Sequence, residues 1–170
     1  MKILLIHSKT HGTHEVYFDD GDESLILSYK WHLQKKKTEN IFYAQSHFKE
    51  EGRWKSTSLH RLILGIKDPK TLIDHKDRNG LNNCRENLRI CSGKGNQGNK
   101  KTTNKYSIYK GVTFCKDSKS QRPWKAGITK NHKSVHLGNF STAKEAALAY
   151  NKAAAEYFGE FALLNNISEE

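Results

Sequence analysis

Short apolar runs separated by polar breaks dominate the first third of the chain. Ile3 to Ile6, Glu15 to Phe18, Ser24 to Ser28 and Ile41 to Phe48 are β-rich segments, divided by charged or turn-forming residues such as Asp19-Asp20-Gly21-Asp22. They predict a small sheet extending to about Trp54. Near Ser58 the spacing changes: Leu59, Leu62, Ile63 and Ile66 recur at helical intervals, and Gly65 with Pro69 beyond it marks the stop. A β-type run, Thr71 to Ile73, then leads into a strongly polar loop. From Lys94 to Lys110 there are five lysines, no acidic residue and many Gly, Asn and Thr, which is the composition of a solvated linker. After it come three strand candidates, Tyr109 to Phe114, Trp124 to Thr129 and Ser134 to Leu137. One helix closes the pattern. It opens on Thr142-Ala-Lys-Glu145, a capping-box spacing, and carries Ala143, Ala146, Ala147, Tyr150, Ala154 and Tyr157 on one face, with Gly159 as terminator.

Composition narrows the class of partner. A chain of 170 residues makes one ordinary domain or two small ones with modest cores. Its formal charge of +11 points to a polyanion, because lysines and arginines that meet phosphates release condensed counterions. No apolar run is long enough to span a membrane and no basic amphipathic helix is continuous, so nucleic acid is the expected partner. The opening Met1-Lys-Ile-Leu-Leu-Ile6 is cut short by His7, Ser8 and Lys9 and reads as a strand rather than a signal peptide. Cys84, Cys91 and Cys115 have neither the paired spacing of a zinc site nor that of a disulfide framework, which suits a reducing cytoplasm and predicts no zinc.

The chemistry concentrates between Leu72 and Ile90. Asp74 and His75 stand together where the chain leaves a strand, followed by Asp77, Asn79, Gly80, Asn82, Asn83, Asn87 and Arg89. Asn79, Asn82 and Asn83 are read as turn formers around Gly80. Asp74 and His75 are not explained that way. Phosphodiester hydrolysis needs a hard cation on oxygen ligands and a neutral base near physiological pH, and a carboxylate beside an imidazole supplies one of each.

The motif Asp74-His75-Lys-Asp-x-Asn-Gly, then Asn82-Asn83, Glu86-Asn87-Leu88-Arg89 and Asn96, resembles the finger of HNH (His-Asn-His) nucleases, with Leu59-His60-Arg61-Leu62-Ile63 resembling a segment that precedes it. The resemblance spans about Leu59 to Asn99. It implies two antiparallel strands and a helix around one divalent ion, with His75 as general base and Asp74 and Asn96 as metal ligands. Asn87 would tie the loop that aims His75. Asn99 is an alternative to Asn96. The implied cofactor is one Mg²⁺ or Mn²⁺ per site. Three glycines in Gly93 to Asn99 disfavour an isolated helix and predict that this segment orders with metal or DNA.

The last part resembles the Apetala-two/ethylene-response-factor DNA-binding domain through Tyr109-Lys-Gly-Val112, Trp124-Lys-Ala-Gly-Ile128, Val135-His-Leu-Gly-Asn-Phe140, the Thr142 helix and Phe161-Ala-Leu-Leu-Asn165. Members lay a three-stranded sheet in the major groove with the helix behind it. Alternation then turns Trp124, Ala126, Ile128, Val135 and Leu137 toward the helix. Lys110, Thr113, Lys125, Thr129, Ser134 and His136 are the expected DNA contacts. Gly127 and Thr129 are small and His136 replaces a common tryptophan, which weakens base reading.

These readings assemble into an α+β protein. Residues 1–56 form a β-rich region, 57–100 the ββα-metal finger, 101–106 a basic linker, 107–165 a three-stranded antiparallel sheet packed on one helix, and 166–170 a tail. The expected function is metal-dependent nicking of double-stranded DNA by a monomeric, cytoplasmic, homing-type enzyme of a phage or mobile element. A DNA-binding regulator with an inactive finger is the alternative, and an RNA-binding protein is a third reading that rests on basicity alone.

Overall fold

A computed structural model describes residues 1–36, 41–100, 107–116, 121–131 and 133–167. The chain forms two compact units, Met1–Ser92 and Gly93–Glu170. The linker expected at 101–106 and the last three residues of the expected tail lie outside the described residues.

In the first unit, β1 (Lys2–Ser8) and β2 (Gly12–Phe18) form an antiparallel hairpin. A one-turn 3-10 helix at Asp20–Asp22 runs into a short helix, α1 (Glu23–Leu27). This corrects the strand expected at Ser24 to Ser28. A five-residue apolar run has no decisive period, and here a single turn suffices to bury Ile26 completely while Leu25 and Leu27 stay exposed. Strands β3 (Trp31–Lys36), β4 (Ile41–Glu50) and β5 (Arg53–Ser58) make an antiparallel sheet in that order. The outer two were not anticipated, because their polar faces dilute the apolar signal.

Helix α2 (Leu59–Ile63) follows β5 directly and buries Leu59 and Ile63. It ends where Gly65 takes φ +66°, as its position after the periodic residues predicted. Strands β6 (Leu72–His75) and β7 (Leu88–Cys91) then pair antiparallel, Asp74 opposite Arg89 and His75 opposite Leu88. Residues on both sides of position 56 share one core: Val16, Phe18 and Ala44 pack with Leu59, Ile63, Leu81 and Leu88. The expected β-rich region and the β6–β7 hairpin are therefore one folding unit.

The second unit begins with α3 (Gly93–Gly98). Its glycines have a packing reason. A Cβ on Gly95 would stand 3.0 Å from the Phe161 ring, and one on Gly98 2.8 Å from Phe158 Cγ and from the Phe161 carbonyl. Aromatic side chains of its own unit therefore pack against this segment where its glycines leave room. Strands β8 (Val112–Phe114), β9 (Trp124–Lys130) and β10 (Lys133–Phe140) form an antiparallel sheet with β9 central. Helix α4 (Ala143–Phe158) covers one face. Its capping box is present: Glu145 N donates to Thr142 Oγ1 at 3.1 Å and Thr142 N donates to Glu145 Oε2 at 3.3 Å. Such a cap stabilises by about 1 kcal/mol. Ala126 and Ile128 are buried beneath α4 as alternation required, whereas Val135 is 36% exposed. A register shift between His136 and Gly138 relaxes the alternation there.

Among the described residues no helix is long and apolar enough to cross a membrane. Among the described residues Cys84, Cys91 and Cys115 form no disulfide.

Candidate active site

His75 ends β6 in a buried position, 6% exposed, and three rings meet there. The His60 ring stands edge-on to it at 5.2 Å and 85°, and Tyr43 lies 5.8 Å from each imidazole. His60 comes from α2, where its Nε2 shares a hydrogen bond with Ser58 Oγ at 2.9 Å, and Tyr43 comes from β4. Burial pushes the His75 imidazole below its ordinary pKa, against the upward pull of the Asn83 contact and of the Asp77 and Asp74 carboxylates. His60 is pushed down to about 3, first by burial and then by His75 and Arg61. Both rings are therefore neutral at physiological pH. For His75 that is the state a general base requires.

The loop after His75 is shaped by asparagines and one aspartate. Asn87, 8% exposed, accepts from Asp77 N at 3.1 Å and donates through Nδ2 to Asp77 Oδ1 at 2.9 Å and to the Asn82 carbonyl at 2.8 Å. Its own carbonyl accepts from Lys76 N at 2.9 Å. One side chain thus closes the loop onto the start of β7. Asn79 and Asn82 accept from the amides of Leu81 and Cys84, two residues on, as turn formers do. Asn83 differs. It is fully buried, its Oδ1 lies 3.5 Å from His75 Nε2, and its Nδ2 has no partner among the described residues.

The remainder of the unit holds this loop from outside. Asn83 N donates to the Tyr17 carbonyl at 2.8 Å and Tyr17 N donates to the Leu81 carbonyl at 2.9 Å, stitching the loop to β2. Arg85 donates from Nε and Nη2 to the buried Asp22 at 3.0 and 2.6 Å, and its amide donates to Asp19 at 2.7 Å. A bidentate charge-assisted pair of this kind fixes direction as well as distance. Asp74, 7% exposed, receives Arg89 Nε at 2.9 Å and Nη2 at 2.7 Å on one carboxylate oxygen.

No family model and no solved structure matches this chain. A relative described as an uncharacterised HNH endonuclease of Acanthamoeba polyphaga mimivirus is 36% identical over 148 residues, which cover 84% of this chain and 70% of the relative. This chain belongs to the HNH endonucleases.

In this HNH protein the structure gathers Asp74, His75 and Asn87 within the first unit. Asn96 is carried, half-buried, by α3 of the second unit, and Asn99 is buried there. Among the described residues no group of three or more His, Cys, Asp or Glu is arranged to hold a metal ion. The HNH donors named from the sequence are instead one carboxylate, Asp74, and one amide, Asn96. Oxygen donors of that kind suit a hard divalent cation and not a soft one.

Four contributors were missed from sequence. Asn83 was read as a turn former, His60 only as part of the segment that precedes the finger, and Tyr43 and Arg89 were given no role. For Arg89 a signal existed, since a cation one strand away from Asp74 is a natural partner. For Tyr43 none did, because it is 32 residues from His75.

On the second unit's sheet, Thr113, Lys125, Thr129, Ser134 and His136 are exposed on the face opposite α4. Lys110 is not among them, which corrects its assignment to the first strand. It precedes β8, in a turn where Gly111 has φ +75° and a Cβ would meet Tyr150 at 2.0 Å. Asn165 brackets the Lys110 backbone through both amide atoms, at 2.6 and 3.0 Å, and the Lys110 ammonium donates to the Gly98 carbonyl at 2.5 Å. The register shift brings Asn139 opposite Lys125 on the exposed face, a member that strict alternation did not supply.

One prediction follows from the two neutral histidines. The unfolded chain binds their protons near pH 6.5 and the folded chain does not, so stability is complete above that pH and is lost as pH falls toward about 3. For His60 alone the loss is on the order of 4 kcal/mol. Urea denaturation across this range will show a shallower decline for His60→Phe than for wild type. Parallel curves would refute a neutral buried His60.

Proposed function

We propose that this chain is a divalent-metal-dependent endonuclease that nicks duplex DNA, with His75 as general base. The observation that carries the reading is the imidazole itself: buried, held neutral, enclosed by His60 and Tyr43, and followed by a loop that Asn87 ties down. A merely structural histidine would not need the carboxylate of Asp74 beside it, nor an asparagine whose amide nitrogen is kept buried without an acceptor among the described residues. Leaving such a group unpaired costs about 1–3 kcal/mol, and that cost falls against the His75 ring.

In the reaction, neutral His75 accepts a proton from the water that attacks phosphorus. Asn87 keeps Lys76 and Asp77 in place, so the strand end that bears the ring does not shift, and Asn83 with His60 restricts the ring's rotation. Arg89 aims the Asp74 carboxylate. Asp74 and Asn96 are the proposed ligands of one Mg²⁺ or Mn²⁺, which when bound supplies positive charge against the oxygens that become more negative in the transition state. The products are a 5′-phosphate and a 3′-hydroxyl.

The second unit would hold the DNA, in the manner of Apetala-two/ethylene-response-factor domains. The support is a three-stranded sheet with its apolar face covered by α4 and Thr113, Lys125, Thr129, Ser134, His136 and Asn139 exposed on the other. The short side chains of Thr113, Thr129 and Ser134 favour backbone contacts over base reading. Homing is the biological role that this combination resembles.

Supercoiled plasmid tests the activity. With Mg²⁺ the protein converts it to open circles, and chelation by EDTA stops conversion while added Mn²⁺ restores it. Conversion that persists undiminished in EDTA would reject the metal-dependent mechanism.

A further inference from the structure

We propose that the outer face of the β3-β4-β5 sheet binds the duplex on one flank of the cut, with Lys49 and Trp54 as its distal contacts; the inference rests on the endonuclease reading and adds a second DNA surface to it.

Register defines the face. Residues directly opposite one another in an antiparallel sheet point the same way. Trp31, Leu33, Phe42 and Ala44 pack into the core of the unit, so their neighbours along each strand point outward. The outward set includes His32 opposite Gln45, Gln34 opposite Tyr43, and Lys49 opposite Trp54, with His47 stacked on His32 at 4.8 Å and 13°. No described residue on this face is acidic, in a unit that carries carboxylates elsewhere. Polar, basic and aromatic groups without carboxylates complement a phosphate backbone.

One end of the face is the active site. Tyr43 belongs to the outward set, and it is the same Tyr43 that packs on His60 and His75. From Tyr43 the face runs along β4 to Lys49, six residues or about 20 Å at strand rise. That length equals about six base pairs of duplex at 3.4 Å each. A duplex whose scissile phosphate lies at His75 can therefore follow the face without leaving it. At the far end Trp54 is 75% exposed on β5, an indole kept in water where a sugar or a base can cover it.

The test uses the full chain with Trp54→Ala, Lys49→Gln and the double variant. Both residues are exposed, so the thermal midpoint should match wild type, and this is checked first. On a short mixed-sequence duplex, Trp54→Ala is expected to raise the half-saturating concentration about 5-fold or more. Lys49→Gln should lower the slope of log affinity against log salt by about 0.9. On plasmid the nicking rate at saturation should stay within about twofold, and the footprint around a mapped cut should shorten by about six base pairs on one flank. Unchanged affinity, salt slope and footprint would overturn the proposal. So would a self-association that Trp54→Ala abolishes without any change in duplex binding, because the face would then belong to a second copy of the chain. Failure of the endonuclease reading looks different: wild type would not nick, while the binding measurements would still decide this surface.

Discussion

His75→Ala is expected to lower the nicking rate by about 10²–10⁴-fold while duplex affinity stays within about twofold of wild type. The ring is nearly enclosed, at 6% exposure, so it contributes little surface to a bound duplex. Its contribution is to proton transfer alone, which appears in the rate and not in binding. Burial lowers the pKa of His75, so the ring stays neutral somewhat below the ordinary value of 6.5. The acid limb of the wild-type rate profile should accordingly lie below pH 6.5. Removing a buried ring from between His60 and Tyr43 also loosens packing, so a thermal midpoint must accompany the assay. The control is His75→Asn, which fills part of the volume but cannot take the proton. If either variant nicks at the wild-type rate, the assignment of His75 as general base falls.

The second large effect belongs to Asn87. Its side chain holds the Asp77 amide, the Asp77 carboxylate and the Asn82 carbonyl at once, at 3.1, 2.9 and 2.8 Å. Asn87→Ala strands these groups in a half-buried loop, at a cost of about 1–3 kcal/mol of stability. The loop begins one residue after His75, so a displacement on the order of 1 Å reaches the imidazole and lowers the rate about 10²-fold. Asn87→Asp should be no better than Ala, because it replaces a donor with a second carboxylate against Asp77. Nicking rates with denaturation midpoints measure both quantities. Wild-type rates in a destabilised Asn87→Ala protein would show that the loop does not aim His75.

Local order was the most legible feature of the chain. The Thr142 helix, its capping box and its Gly159 terminator were readable because each depends on residues within four positions of one another. The same holds for α2, whereas the β6–β7 pair, whose partners stand 13 to 19 residues apart, was expected from the HNH resemblance. Ser24 to Ser28 was misread because five apolar-rich residues carry no period, and β3 and β5 were overlooked because one face of each is polar. Lys110 was placed on the first strand because Tyr109 to Phe114 reads as one β-type run, but Gly111 takes φ +75° and β8 begins only at Val112.

Asp74 and His75 could be named from sequence because phosphodiester hydrolysis calls for a carboxylate and an imidazole together, Asn87 was named through the HNH resemblance, and identity to an HNH endonuclease supports the class. Tertiary packing decided the environment that keeps the imidazole neutral. Tyr43 and His60 reach His75 from different elements, Asp22 reaches Arg85 across 63 residues, and the loop is stitched to β2 through Tyr17. Such contacts leave no period or spacing along the chain. They arise because a small first unit must bury Leu81 and Leu88 against Val16 and Phe18, and in doing so it carries an asparagine and two aromatic rings up to His75.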